Sequence, residues 1–266
     1  MTSSDRLLIG SNLKMYKTIA ETVDYLSRLV SVTSDLPRES IDIFIIPSFT
    51  ALPAASMLKS DRLKLGAQNM NWADSGQYTG EISPVMLREL GIDVVEIGHS
   101  ERRHVFGETD DETNRKVIAA VNHGFTALLC IGETASDKNL GISEERIRIQ
   151  LKIGLHDFPK EKLSRLWIAY EPVWAIGVNG TPAAPDYVEE AHARIRSTLE
   201  ELFPGEADHI PILYGGSVNK QNCCELIALP GVDGLFIGRA AWNADDMNTI
   251  IRMTLPIWQE KIKLTA

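Results

Sequence analysis

The chain has 266 residues, 44% hydrophobic and 24% charged, which is globular composition and excludes a disordered or low-complexity protein. Its 27 Lys and Arg against 36 Asp and Glu leave a net charge of −9, which excludes the basic footprint of a nucleic-acid or anionic-membrane surface but leaves room for an anionic small ligand. The three cysteines, Cys130, Cys223 and Cys224, make no disulfide framework, so reduced thiols in a cytoplasmic protein are expected.

Apolar β-type runs fall at 7–10, 41–46, 63–67, 94–97, 126–131, 166–170, 210–214 and 234–237. Between them lie amphipathic segments, clearest at 18–32, 110–122, 143–156 and 185–203, with a last one at 247–262. Pro185 sits where a helix start tolerates it, and Asp186 suits the first turn. Val188, Ala191, Ile195, Thr198, Leu199 and Leu202 then recur at the spacing of one buried helix face. Alternation of this kind predicts parallel strands with crossover helices. Eight such units fit a single (β/α)8 barrel, an α/β fold, over residues 1–266. The turn after the first strand is Gly10-Ser11-Asn12-Leu13-Lys14, not GxGxxG, so a dinucleotide fold is disfavoured. No secretory signal is expected, because the start Met1-Thr2-Ser3-Ser4-Asp5-Arg6 has no cationic region followed by a long apolar stretch, and no membrane span, because no apolar run reaches roughly 18 residues.

In a barrel of this type the chemistry belongs at the C-terminal ends of the strands. Asn12 and Lys14 share one side of the first strand's end, away from Leu13. Lys14 is either a solvated charge or an anchor for an anionic substrate and its developing charge. His99 follows the fourth strand, just before a short helix begun by Ser100. It is either a structural cap or an electrophile kept neutral by the helix N-terminus. Glu101 is either part of an ion-pair network or a contact of Lys14, and Arg102 and Arg103 are expected to brace the loop.

Glu171 ends the sixth strand and is stiffened by Pro172. The stretch Pro172, Val173, Trp174, Ala175, Ile176, Gly177, Val178, Asn179 and Gly180 has a rigid base, an apolar middle and glycines, as a closing lid requires. The seventh and eighth strands end in Tyr214-Gly215-Gly216-Ser217 and Phe236-Ile237-Gly238-Arg239. Loops after these two strands commonly hold phosphate through backbone N–H groups. No HxxxH, CxxC or carboxylate cluster suggests a metal site.

Together these stretches resemble triose-phosphate isomerase. The resemblance is carried by GAQN at 66–69, TGEIS at 79–83, GHSERR at 98–103, CIGE at 130–133, AYEPVWAIG at 169–177 and YGGSVN at 214–219, in order over nearly the whole chain. It implies that Glu171 is the base, that neutral His99 polarises the carbonyl, and that Lys14 and Asn12 stabilise an enediolate with Glu101 in support. It implies phosphate contacts from the backbone at Gly177, Ser217, Gly238 and Arg239. It further implies a small phosphorylated sugar as substrate, no cofactor and no metal. It also implies a homodimer whose loop 68–82, from Gln68 to Ile82, docks in the neighbour, with Thr79 reaching toward the partner's Asn12. Met70 and Trp72 are apolar for a solvated loop, which points to the same partner.

Three departures from the family pattern stand out. Leu13 replaces a Trp, the lid tip is Val178-Asn179-Gly180-Thr181-Pro182-Ala183, and Arg239 replaces a Gly. These resemble the divergent branch acting on tetrulose phosphates. The simplest expectation is nonetheless an isomerase of glyceraldehyde 3-phosphate and dihydroxyacetone phosphate. The alternatives are isomerisation of L-erythrulose 1-phosphate to D-erythrulose 4-phosphate, and a non-catalytic phosphosugar-binding barrel. The Arg239 side chain is expected either to point in and add a charge-assisted bond to the phosphate, or to point out and pair with an acid such as Asp245 or Asp246.

Overall fold

A computed structural model of the chain describes residues 6–177 and 180–265. Eight strands close into one parallel barrel in chain order: β1 Leu7–Asn12, β2 Ile41–Ile46, β3 Lys64–Ala67, β4 Val94–Ile97, β5 Thr126–Ile131, β6 Leu166–Tyr170, β7 Ile212–Tyr214 and β8 Gly234–Ile237. β8 pairs back onto β1, with Ile237 opposite Ser11. Each is one of the eight apolar runs. β7 starts two residues later than its run because Pro211 has no N–H to give to the ladder.

Helices join the strands as the amphipathic segments predict, including Ile19–Val32, Asp110–Asn122, Ser143–Gly154, Pro185–Leu202 and Ala244–Thr265. Thr18 with Glu21, and Thr109 with Glu112, form capping boxes that set two of the starts. The short helices Leu52–Ser56, Pro84–Glu89, Ala135–Asn139 and Cys223–Ala228 are too brief to show a helical period in sequence. Among the described residues no helix is long and apolar enough to cross a membrane.

Strand alternation divides the core in two. Leu7, Ile9, Val95, Ile97, Leu129 and Ile168 face the helices. Leu8, Phe44, Val94, Leu128, Cys130, Trp167, Ala169 and Phe236 fill the barrel interior. Gly10 makes room for this filling, since a Cβ there would lie 2.4 Å from the Phe44 ring. The same inward phase, continued to the strand ends, carries Asn12 on β1, Glu96 on β4 and Glu171 just past β6 to the barrel mouth.

Candidate active site

A cavity of about 430 Å³ opens at the C-terminal end of the barrel. Asn12, Lys14, His99, Glu101, Glu171, Gly177, Ser217, Gly238 and Arg239 all line it, so every residue expected to contact substrate is brought to one place.

β1 delivers Asn12 and then turns sharply. Lys14 has φ 50°, a left-handed conformation unusual for a side-chain-bearing residue. The turn is held from several sides. Asn12 Oδ1 accepts from the Lys14 N–H at 2.6 Å, and Gln68 Nε2 donates to Asn12 Oδ1 and to the Lys14 carbonyl. The Trp242 indole donates to the Asn12 carbonyl at 2.9 Å. The Lys14 ammonium reaches Glu101 Oε1 at 2.6 Å. Burial alone would lower the Lys14 pKa, but the carboxylates of Glu101, Glu171 and Glu96 outweigh it and hold the ammonium above its ordinary value.

His99 caps the helix Ser100–Val105, and its Nδ1 accepts the Glu101 N–H at 3.2 Å. With Nδ1 in the acceptor role, Nε2 is the nitrogen left to donate into the cavity. Nε2 points at Glu171 Oε2, 3.6 Å away. That carboxylate oxygen is buried and has no hydrogen-bond partner among the described residues. Glu171 is fixed by its backbone, whose N–H donates to the Ile131 carbonyl at 2.8 Å. Two glycines make its place. A Cβ on Gly132 would lie 2.0 Å from the Glu171 carbonyl oxygen, and one on Gly215 would lie 2.7 Å from Glu171 Cγ.

The arginines beside His99 brace the loop as expected. Arg103 donates to the Gly98 carbonyl and pairs with Asp110, while Arg102 stacks on the Phe106 ring. The stretch expected to form a lid is anchored at its base. Trp174 and Tyr187 both donate to Glu133 Oε1, at 2.7 and 2.8 Å, and Ser217 Oγ donates to the Ala175 carbonyl at 2.7 Å. Val178 and Asn179 of the lid lie outside the described residues. Gly177 takes φ 85°, as a glycine hinge permits.

Two expectations are corrected. Asp245 pairs with Arg28 and Asp246 with Lys220, so neither is the partner of Arg239. Arg239 is exposed, lines the cavity and forms no ion pair among the described residues. Met70, whose apolar character pointed to a partner subunit, is buried in the core of its own chain, with Trp72 packed partly against it.

Glu96 was missed as a site residue. It is fully buried and accepts from Asn12 Nδ2 at 2.8 Å. A signal was available: an acid inside the short apolar β4, in phase with the inward Val94. Burial pushes its carboxyl up to about 7, with the nearby Glu171 adding to the rise and His99, Asn12 and Lys14 opposing it. Burial beside Glu171 and Glu96 also pushes the Cys130 thiol up.

The sequence profile of the family described as Triosephosphate isomerase matches residues 7–254. A protein named L-erythrulose-1-phosphate isomerase from Rhizobium etli is 44% identical over 262 residues, covering 97% of this chain and 96% of its own. Proteins of the same name from Rhizobium rhizogenes and Mesorhizobium japonicum are 47% and 46% identical, covering 92% and 89% of this chain and 93% and 92% of their own. With the profile spanning the whole barrel and the relatives nearly the whole chain, this protein belongs to the triosephosphate isomerase family.

Proposed function

We propose that this protein isomerises L-erythrulose 1-phosphate to D-erythrulose 4-phosphate through an enediolate. The observation that carries the chemistry is the buried, unpartnered Glu171 Oε2 facing His99 Nε2 at 3.6 Å. The name shared by the similar proteins supports the four-carbon substrate over the three-carbon one.

Glu171 takes the proton from the hydroxyl-bearing carbon next to the carbonyl, and the C–H electron pair becomes the enediolate double bond. Charge moves to the former carbonyl oxygen, where His99 Nε2–H, the Lys14 ammonium and the Asn12 amide stabilise it. After a proton passes between the two oxygens, Glu171 returns its proton to the other carbon. One proton leaves and one returns, so the reaction consumes no oxidant or reductant and calls for no cofactor. Glu101 holds Lys14 in place. The N–H groups of Gly177, Ser217, Gly238 and Arg239, at the other side of the cavity, seat the phosphate.

A triose phosphate is the second reading, favoured by the family description. The two substrates differ at the carbon that gives up its proton: the tetrulose carries a hydroxymethyl group where the triose carries hydrogen. Steady-state turnover of the purified protein on both decides between them. A higher kcat/KM for L-erythrulose 1-phosphate is expected, and a preference for the triose overturns the four-carbon assignment.

The protein is further proposed to be a cytoplasmic homodimer. All three cysteines are free, as a reducing compartment allows. Tyr78, on the loop 68–82, and Met15 and Phe106, on loops after β1 and β4, are large exposed apolar side chains at the same end of the barrel. Sedimentation at micromolar concentration should give a dimer, and a fully active monomer refutes it.

A further inference from the structure

We propose that Glu96 is a positioning residue of this site: from beneath the cavity its carboxyl holds the Asn12 amide in one orientation and sets how readily His99 gives up its Nε2 proton. The proposal rests on reading the barrel mouth as an isomerase site.

Glu96 does not line the cavity, and it is fully buried within the barrel. The barrel interior is otherwise filled by apolar side chains, among them Val94 and Leu128. A carboxyl in such a place weakens the fold relative to a well-packed apolar side chain, so its contribution belongs to the site and not to stability. Both of its oxygens face groups that act there. Oε2 accepts from Asn12 Nδ2 at 2.8 Å, and Oε1 lies 3.9 Å from His99 Nε2 and 3.9 Å from Cys130 Sγ.

The Asn12 amide could be turned over with little change of shape, exchanging its donor and acceptor ends. Three contacts prevent this. Oδ1 accepts from the Lys14 N–H and from Gln68, and Nδ2 donates to Glu96. One Nδ2 hydrogen is thereby committed to Glu96 and the second is left for the cavity, which Asn12 lines. Without an acceptor at position 96, the donor end loses its only protein partner among the described residues.

His99 Nε2 lies between two carboxyls, Glu171 at 3.6 Å and Glu96 at 3.9 Å. A negative charge at Glu96 strengthens the hold of the imidazole on its proton, whereas a neutral carboxyl does not. The ionisable groups facing Glu96 are Lys14 past β1, His99 past β4, Cys130 on β5 and Glu171 past β6. With burial pushing its carboxyl to about 7, Glu96 is mostly neutral below that pH and mostly charged above it. His99 is accordingly the better donor on the acid side.

The test compares full-length wild type with Glu96→Gln and Glu96→Leu. Wild-type kcat on L-erythrulose 1-phosphate is expected to fall severalfold from pH 6 to pH 8. Glu96→Gln, which still accepts from Asn12 but does not titrate, is expected to lose that dependence. Glu96→Leu is expected to lose about tenfold or more in kcat with KM within about twofold and a melting temperature no lower than wild type. A matching profile in Glu96→Gln, or a Glu96→Leu variant that melts lower while turning over normally, overturns the proposal. The ¹⁵N signal of His99 gives a readout independent of turnover. It should inflect near pH 7 in wild type and not in Glu96→Gln, and a wild-type signal flat through that range also overturns the proposal. If wild type turns over no sugar phosphate, the isomerase reading fails, while the His99 signal still decides the role of Glu96.

Discussion

Gly215 is the space in which Glu171 sits. A Cβ on Gly215 would lie 2.7 Å from Glu171 Cγ and 3.2 Å from its Oε1, and the Gly215 N–H donates to the Tyr170 carbonyl at 2.8 Å. The glycine that follows β7 thus determines where the acid that follows β6 can lie.

Gly215→Ala tests that relationship. The backbone at Gly215 is not in the left-handed region, so the added methyl acts by displacing Glu171 and not through φ strain. Misplacement of a catalytic group by about 1 Å costs about a hundredfold in rate. A fall in kcat of that order is expected, with KM changed much less. Unchanged kcat in a folded variant removes the positioning of Glu171 from the account.

Lys14→Met removes the ammonium that pairs with Glu101 while keeping an unbranched side chain one atom shorter. Loss of a preorganised charge at a developing oxyanion costs about a hundredfold or more. Because the surrounding carboxylates hold the Lys14 pKa above its ordinary value, the ammonium stays charged across the neutral range, and no alkaline loss of activity there belongs to it. Activity retained within about tenfold, or about 1.4 kcal/mol of barrier, contradicts its role.

Arg239 lines the cavity and has no acid to pair with among the described residues, so its guanidinium is available to the substrate phosphate. Arg239→Gly should raise KM about tenfold, the value of one charge-assisted hydrogen bond of about 1.5 kcal/mol. A shifted phosphate seat also moves the reacting carbons against Glu171, so the ratio of kcat/KM between tetrulose and triose phosphates should change. Kinetics of both substrates on both proteins measure it. An unaltered ratio transfers the specificity role to Leu13 or the lid tip.

His192 makes stability fall in acid. It is fully buried against the Tyr170 and Tyr214 rings, and its Nδ1 is 2.9 Å from the Gly231 carbonyl. Burial depresses its pKa to about 3. Unfolded, it takes up a proton near 6.5. Between those values the unfolded chain binds the extra proton, so stability is lost as pH falls through that window and is unaffected above it. The urea midpoint of wild type should drop more from pH 7 to pH 4.5 than that of His192→Asn, by up to about 1.4 kcal/mol per pH unit. Equal drops exclude His192 as the source.

Much of the site was legible because barrels place their chemistry where strands end. Glu171 before Pro172, His99 before a helix, and the glycines after β7 and β8 were each visible in their own stretch, and the family resemblance supplied their roles. Arg239 was flagged, but the partners expected for it do not meet it. Asp245 and Asp246 lie close to it in the chain, yet in the folded protein they meet Arg28 and Lys220. Met70 pointed to a partner because its loop looked solvated, and only the fold shows that the start of that loop, Asn69 to Asn71, is buried in its own chain while 74–81 are exposed.

By itself the sequence determined the strands and the longer helices, because the alternation of apolar residues at periods of two and 3.6 is a local property that any barrel-forming chain must carry. It also determined which strand ends bear titratable side chains. Only the tertiary structure decided that Asn12 on β1 and Glu96 on β4, 84 residues apart, share a hydrogen bond beneath His99. Closure of the barrel sets that meeting. The register β1 keeps with β2 and β8 fixes how far each inward side chain stands above the barrel floor, and register is a relation between strands that no single stretch of chain contains.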